Sequence, residues 1–193
     1  MPNFELNRDT DCAQPVTGLE GRVWFANHAD WVAYKAAENP TVVNRLMSTF
    51  PEAAAPFLRQ LPAPKNMEDP FEMGVASEIV EGKMAIVDTV KLRLAVHRSA
   101  DVHQTEILLK CGRIVIFGEK VGISGDGKYF MLGEEVGLDV SEFTMNFGKM
   151  GGQTDILLKS GVSRYENHLT TILHVTDDAT TLAAITANTV PVV

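Results

Sequence analysis

The groups in this chain that could do chemistry are few and scattered. Gly122-Ile123-Ser124-Gly125 has the flavour of a serine elbow, but G-x-S-x-G needs one more residue before its second glycine and a strand-to-helix turn. Here the run lies between two apolar segments and reads as hairpin glycines. Gly125-Asp126-Gly127-Lys128 lacks the G-x-x-x-x-G-K-[ST] spacing, and no helix follows whose amides would hold a phosphate. It reads as a turn. The five histidines, His28, His97, His103, His168 and His174, show no H-E-x-x-H spacing. His97 and His103 with Glu106 come nearest to a metal set, and the weight falls on solvated or hydrogen-bonded imidazoles. Cys12 and Cys111 stand alone without C-x-x-C spacing and read as free thiols rather than a disulfide or metal pair. The expectation is therefore no catalytic residue, no cofactor-binding residue, no metal ligand and no cofactor: not an enzyme.

The elements that would carry these groups are those of a single domain. The chain has 193 residues, 45% apolar and 22% charged, enough to bury a core. No run approaches the length of a membrane helix, and the start MPNFELNRDTDC lacks the basic end and apolar centre of a signal peptide, so the chain is expected to be made or assembled in the cytoplasm, with no membrane partner. A net charge of −8 argues against a conventional nucleic-acid binder, whose basic patches neutralise phosphates. It also suits a surface past which a polyanion must move without sticking, beside the plainer role of keeping the protein soluble.

The longest pattern is Lys83 to His97, KMAIVDTVKLRLAVH. Met84, Ile86, Val90, Leu92, Leu94 and Val96 fall on one face, and Lys83, Thr89, Lys91, Arg93 and His97 fall on the other. At about 3.3 Å per residue such a strand would span roughly 50 Å, far more than the usual five or six residues. Asp88 interrupts the apolar face. A β-bulge that turns it outward is the favoured reading, with pairing to a basic residue of a neighbouring subunit as the other. Lys91 and Arg93 read as solvent-facing charges that blunt strand pairing. If this strand lined a channel, they would need local carboxylate partners or an orientation away from the lumen.

Around it, Arg22 to Ala26 reads as a short strand, and periodicity leaves Ala29 to Ala37 undecided between strand and helix. Residues 38–73 are broken by Pro40, Pro51, Pro56, Pro62, Pro64 and Pro70 and read as a long loop excursion, in which Val42 to Phe50 and Glu52 to Leu61 form a helical turn or two. Gly74 to Val80 is a strand that turns through Glu81-Gly82 into the long one. Ser99 to Cys111 is a helix capped by Asp101 and stopped by Gly112. Arg113 to Phe117 and Lys128 to Leu132 form one hairpin, Leu138 to Phe147 and Gln153 to Lys159 a second. Leu169 to Val175 is a last strand, and residues 176–193 are a tail in which Asp177 or Asp178 caps a helix over Ala179 to Ala187, with Pro191 beyond it. The fold class is mainly β, an antiparallel β-barrel or sandwich with one flanking α-helix, a proline-rich loop and a C-terminal helical segment.

The run from Lys110 to Leu169 resembles the C-terminal half of phage tail tube proteins, those of phages of Bacteroidetes-type bacteria in particular. The likeness lies in the order: helix, strand, Gly125-Asp126-Gly127 hairpin, the Y-x-x-L-G strand at Tyr129 to Gly133, Gly137-Leu138, then a glycine-bounded hairpin ending in Asp155-Ile156-Leu157-Leu158. The opening Cys12…Gly18-Leu19-Glu20-Gly21-Arg22-Val23-Trp24-Phe25-Ala26-Asn27 is similar to how those chains begin. The resemblance covers about half of the chain and implies homohexameric rings that stack into a tube, with inner strands forming one β-lined channel. It implies a virion tail location after assembly in the host cytoplasm, and genomic DNA and the tape measure protein as transient occupants of an electronegative lumen. Sheath, terminator and baseplate proteins would be further partners, and the excursion would contact a neighbouring subunit or ring. Another ring-forming virion component, such as a tail terminator, connector or baseplate tube-initiator, is the alternative, and a soluble ligand-binding β-barrel or a small enzyme with a dispersed site stands as the rival from another class.

Overall fold

A computed structural model of the chain describes residues 22–61, 71–80, 83–95, 99–120, 123–146, 153–160, 166 and 170–191. It begins with β1 (Val23–Asn27), whose VWFA run is buried. Asn27 then turns the chain into α1 (His28–Glu38): its backbone is extended and its side chain accepts the Ala29 N–H at 2.8 Å, a standard N-cap. The undecided stretch is thus helix, with Trp31 and Tyr34 three apart on the buried face.

The expected helical turns over 42–50 and 52–61 are not formed; the chain makes β2 (Val42–Val43), β3 (Leu46–Met47) and β4 (Arg59–Gln60) instead. The reason is local. Asn44 and Arg45 hold φ of 51° and 67°, the two successive left-handed residues of a tight hairpin turn, and the β-branched Val42-Val43 pair sits in its first strand. This segment also packs inward, burying Met47, Phe50, Leu58 and Leu61.

β5 (Phe71–Val80) and β6 (Lys83–Ala95) run antiparallel in unbroken register from Phe71↔Leu92 to Val80↔Lys83. The Glu81-Gly82 turn itself, the end of the long strand at Val96 and His97, residues 62–70, the glycine loop 148–152 and the opening before Arg22 lie outside the described residues. α2 (Ser99–Lys110) begins two residues before Asp101, which therefore lies inside the helix and not at its cap, and Gly112 follows the helix at φ 72°. β7 (Ile114–Glu119) with β8 (Tyr129–Leu132), and β9 (Leu138–Asn146) with β10 (Gln153–Ser160), form the two expected hairpins. After β11 (Thr171–Leu173), Asp177 accepts the Thr180 N–H at 2.7 Å and opens α3 (Asp178–Ala187).

The strand order is β2-β3-β11-β8-β7-β9-β10-β6-β5, with β1 paired to β7 and β4 off this path. The chain is mainly β, as expected. Two details correct the expectation of an antiparallel barrel or sandwich with one flanking helix. The sheet is mixed, because β3 and β11 pair in parallel; they are joined through most of the chain, so no hairpin forces them antiparallel. Nor does the sheet close among the described residues, since the strands at its two ends, β2 and β5, do not pair with each other. The described helices number three, α1 being the addition.

The strands β1, β7 and β8 are buried on both faces and divide two cores. Val23, Phe25, Ile114, Ile116, Phe130 and Leu132 point into an aliphatic core with Val90, Leu92, Leu94, Ile156 and Leu158, beneath Leu108 of α2. Their alternate residues Trp24, Val115, Phe117, Tyr129 and Met131 point into an aromatic core with Trp31, Tyr34, Phe50 and Ile185. Such two-sided strands must be apolar throughout, which explains RIVIF and KYFML. Gly118, paired with Phe130, leaves room for that ring: a Cβ there would stand 2.2 Å from Phe130 Cζ.

Candidate functional site

The alternation of β6 builds the first candidate surface. Val90, Leu92 and Leu94 are buried, while Thr89, Lys91 and Arg93 remain partly exposed on the opposite face. Because directly paired residues share a face, the register carries this division across the four long strands. One solvent row runs Glu72, Lys91, Leu157, Glu142, and the next runs Arg93, Asp155, Thr144. Lys91 and Arg93 do have local carboxylates: Lys91 Nζ lies 3.9 Å from Glu72 and Arg93 Nε 3.8 Å from Asp155. With Asp139 opposite Lys159, the described side chains of this face set four acids (Glu72, Asp139, Glu142, Asp155) against three bases (Lys91, Arg93, Lys159). Exposed pairs of this kind contribute little to stability. They hold the rows from Thr89 to Arg93 polar and near neutral, while nearer the start of β6 the same face buries Ala85 and Val87.

Both edges of this four-stranded sheet are open among the described residues. β5 pairs with β6 alone, and β9 meets β7 at one pair, Ile114↔Leu138, leaving Asp139–Asn146 with a strand on one side only. Open edges of this length present a row of unpaired N–H and C=O groups that another chain can take up.

The second candidate is the turn between β8 and β9, Gly133-Glu134-Glu135-Val136-Gly137, entered and left through glycines at φ 74° and 77°. Asp88 reaches it from β6. The expected outward bulge at Asp88 is not there: β6 keeps register with both β5 and β10, so Asp88 stays on the core face, 2% exposed. Its Oδ2 accepts the Gly133 N–H at 3.0 Å, and its own N–H donates to Ser160 Oγ at 3.0 Å. Both of these partners lie within the chain. The register shift belongs to β9, where Leu157 pairs Glu142 and Leu158 pairs Val140.

Other charges complete the hold on the turn. Glu166 accepts the Glu135 N–H at 3.1 Å and the Val136 N–H at 3.3 Å, and Arg113 donates to the Val136 carbonyl at 3.2 Å. Glu134 accepts from Arg45 Nη2 at 2.9 Å and from the Thr171 hydroxyl, with Lys35 Nζ at 3.7 Å. Burial pushes the Glu166 carboxyl up to about 7, helped by nearby Asp88 and opposed by the two amides. Burial, with Arg113 close by, lowers the imidazole of His28, which packs against Gly137. Nothing in this arrangement pairs a nucleophile with a base; it ties β6, α1, the β2–β3 hairpin and β11 to one turn.

Of the remaining sequence candidates, His103 and Glu106 lie near each other on α2. His103 is exposed on α2, and Glu106 on the same helix pairs with Lys110; His97, His168 and Gly122 lie outside the described residues. Among the described residues no three His, Cys, Asp or Glu side chains are grouped to hold a metal ion. Gly125-Asp126-Gly127 is the expected turn, closed by Lys128 N–H to the Gly125 carbonyl at 3.2 Å and anchored by Gly125 N–H to Asp178 at 3.0 Å. Cys111 is a free thiol, its pKa raised by burial, and Cys12 lies outside the described residues. A groove of about 410 Å³ between α1 and the 53–57 segment is lined by Ala33, Ala37, Ala54 and Phe57 with Asp30 and Arg59. No helix of the described residues is long and apolar enough to cross a membrane. Sequence reasoning missed Glu166, Glu134 and Arg45, whose only local signal is the glycine pair around Glu134-Glu135-Val136. Comparison of the chain with protein-family models, with curated proteins and with solved structures finds no match.

Proposed function

We propose that this protein is a structural subunit that assembles into rings, and specifically a phage tail tube subunit whose stacked hexameric rings form a conduit for DNA. The observation that carries the reading is the long four-stranded sheet, with two edges open among the described residues and polar, charge-balanced rows on one face. Edges of this kind are a liability in a monomer and an asset in a closed ring, where every edge finds a partner. The wall so formed would turn its balanced face to the lumen, where Lys91 and Arg93, paired to carboxylates, give a passing polyanion little net charge to grip. Genomic DNA and the tape measure protein are the proposed transient occupants, and the virion tail the proposed location.

Electron microscopy of the purified protein tests this. Rings or tubes are the expected result; persistent monomers under every condition would sink the proposal. Copy number separates a tube subunit from a tail terminator, connector or baseplate tube-initiator: a tube subunit gives one of the most intense bands of the purified particle on a gel, a single-ring component a faint one.

A further inference from the structure

The sheet β5-β6-β10-β9 has an even number of strands, each antiparallel to its neighbour. Its two outer strands therefore run in opposite directions. When copies are related by rotation about a common axis, the β9 edge of one meets the β5 edge of the next antiparallel, so the junction repeats the geometry found inside each subunit. An odd number of strands would have made that junction parallel.

Each edge also carries an exposed apolar side chain on the same face. Val75 of β5 is 40% exposed and Phe143 of β9 is 43% exposed. Both lie on the face of Leu92 and Ile156: Phe143 shares a row with Ile156, Leu92 and Phe71, and Val75 pairs Asp88, four residues further along β5 than Phe71. Joined without offset, Phe143 would meet Phe71, which its own chain already buries to 1% exposure. An offset of four residues brings Phe143 onto Val75. Four residues across four strands is one per strand, and about 3.3 Å of rise against about 4.8 Å of strand spacing gives a tilt of roughly 35°. Closed barrels tilt their strands by about that angle. The offset that covers both apolar residues is thus the one a closed wall needs.

We infer that β9 of one copy pairs antiparallel with β5 of a second copy, offset so that Phe143 packs against Val75, in a heterologous seam that repeats around the ring. The inference rests on the ring reading and adds the surfaces, direction and register to it. The contact uses two different edges, so it propagates, whereas β5 meeting β5 would stop at a dimer.

The test is disulfide trapping. The double variant Val75→Cys with Phe143→Cys is oxidised under assembling conditions and run on a non-reducing gel, beside each single variant and the parent chain. The seam predicts a reducible ladder of covalent multimers from the double variant, with both single variants matching the parent. A dimer from Val75→Cys alone means that β5 meets β5 and overturns the seam. Rings of the parent chain in the microscope without a ladder from the double variant overturn it too, while leaving the ring reading intact; no rings from the parent chain overturns both. Hydrogen exchange on the unmodified protein gives an independent reading, with β5 and β9 amides protected on assembly, and unchanged exchange there counts against the seam.

Discussion

The two cores on either side of β1, β7 and β8 finish differently. The aromatic one is closed: α1 covers it from the start of the described chain and α3 from its end. Tyr34 of α1 donates to the Pro51 carbonyl, and Asn188 after α3 binds Ala53 N–H and the same carbonyl, which ties both helices to the proline-broken stretch. The aliphatic one runs out into β5, β6, β10 and β9, whose inner rows are buried while both outer edges stay open among the described residues. The first region keeps its hydrogen bonds at home and the second leaves them on offer. If the ring reading holds, stability and assembly rest on different parts of one chain, and substitutions should separate them.

The largest effect is expected in the closed region. Trp31 is fully buried and meets Tyr34, Phe50, Phe57 and Phe117 at ring centroids 5.5 to 6.5 Å apart. Trp31→Ala should cost about 3–5 kcal/mol, read from urea unfolding, and a loss below about 1 kcal/mol would mean that this core does not anchor the fold.

Between the regions, the charged turn should show itself through pH. Glu166 has a folded pKa raised to about 7, so the folded state holds its proton more tightly than the unfolded chain does. Its contribution to stability is complete below about 4.5 and is lost as pH rises through 7, spanning up to about 3 kcal/mol. His28 works in the other sense: its pKa is lowered, so its contribution stands above 6.5 and is lost as pH falls through the folded value. Glu166→Gln should remove the first slope and leave the second, and melting curves from pH 4.5 to 8 would show the difference from the parent chain. Identical pH profiles would break the assignment.

Gly118→Ala comes next, with an expected loss of about 1–3 kcal/mol, because Phe130 must leave its place over the glycine. Urea midpoints again decide it, and an unchanged midpoint would show that the ring yields freely. Smallest for the fold is Phe143→Ser: stability should hold within about 0.5 kcal/mol while rings fail to form. Loss of folding and assembly together would erase the contrast between the two regions.

Where the determinants of an element were local, the sequence could be read directly. The alternation of β6 and the glycine-bounded hairpins survive in the structure because period and turn chemistry act over a few residues. Asp88 was misread because its partners, Gly133 and Ser160, lie 45 and 72 positions away, and nothing near it in the chain says that a buried amide is waiting. The β2–β3 hairpin was missed because Asn44-Arg45 makes a left-handed turn without glycine; Arg45 is also held by Glu134, 89 positions on. Of the candidate surface, the polar face was legible and the open edges were not, since an edge is defined by what fails to pair.

The parallel pairing of β3 with β11 sets an order of events. Residues 46 and 47 are made well before their strand partners, 172 and 173, and Leu58 well before Thr189, which bridges it. The long sheet waits less: β5–β6 and β9–β10 are hairpins, and although β6 must wait for β10, that strand ends at Ser160, before β11 is made. A ribosome carrying this chain therefore displays β5, β6, β10 and β9, their edges open among the described residues, while the aromatic half still lacks β11 and α3. Crowded nascent chains would meet through those edges first, so the cell's concentration of translating copies, as much as the mature fold, governs whether the edges find their proper partners.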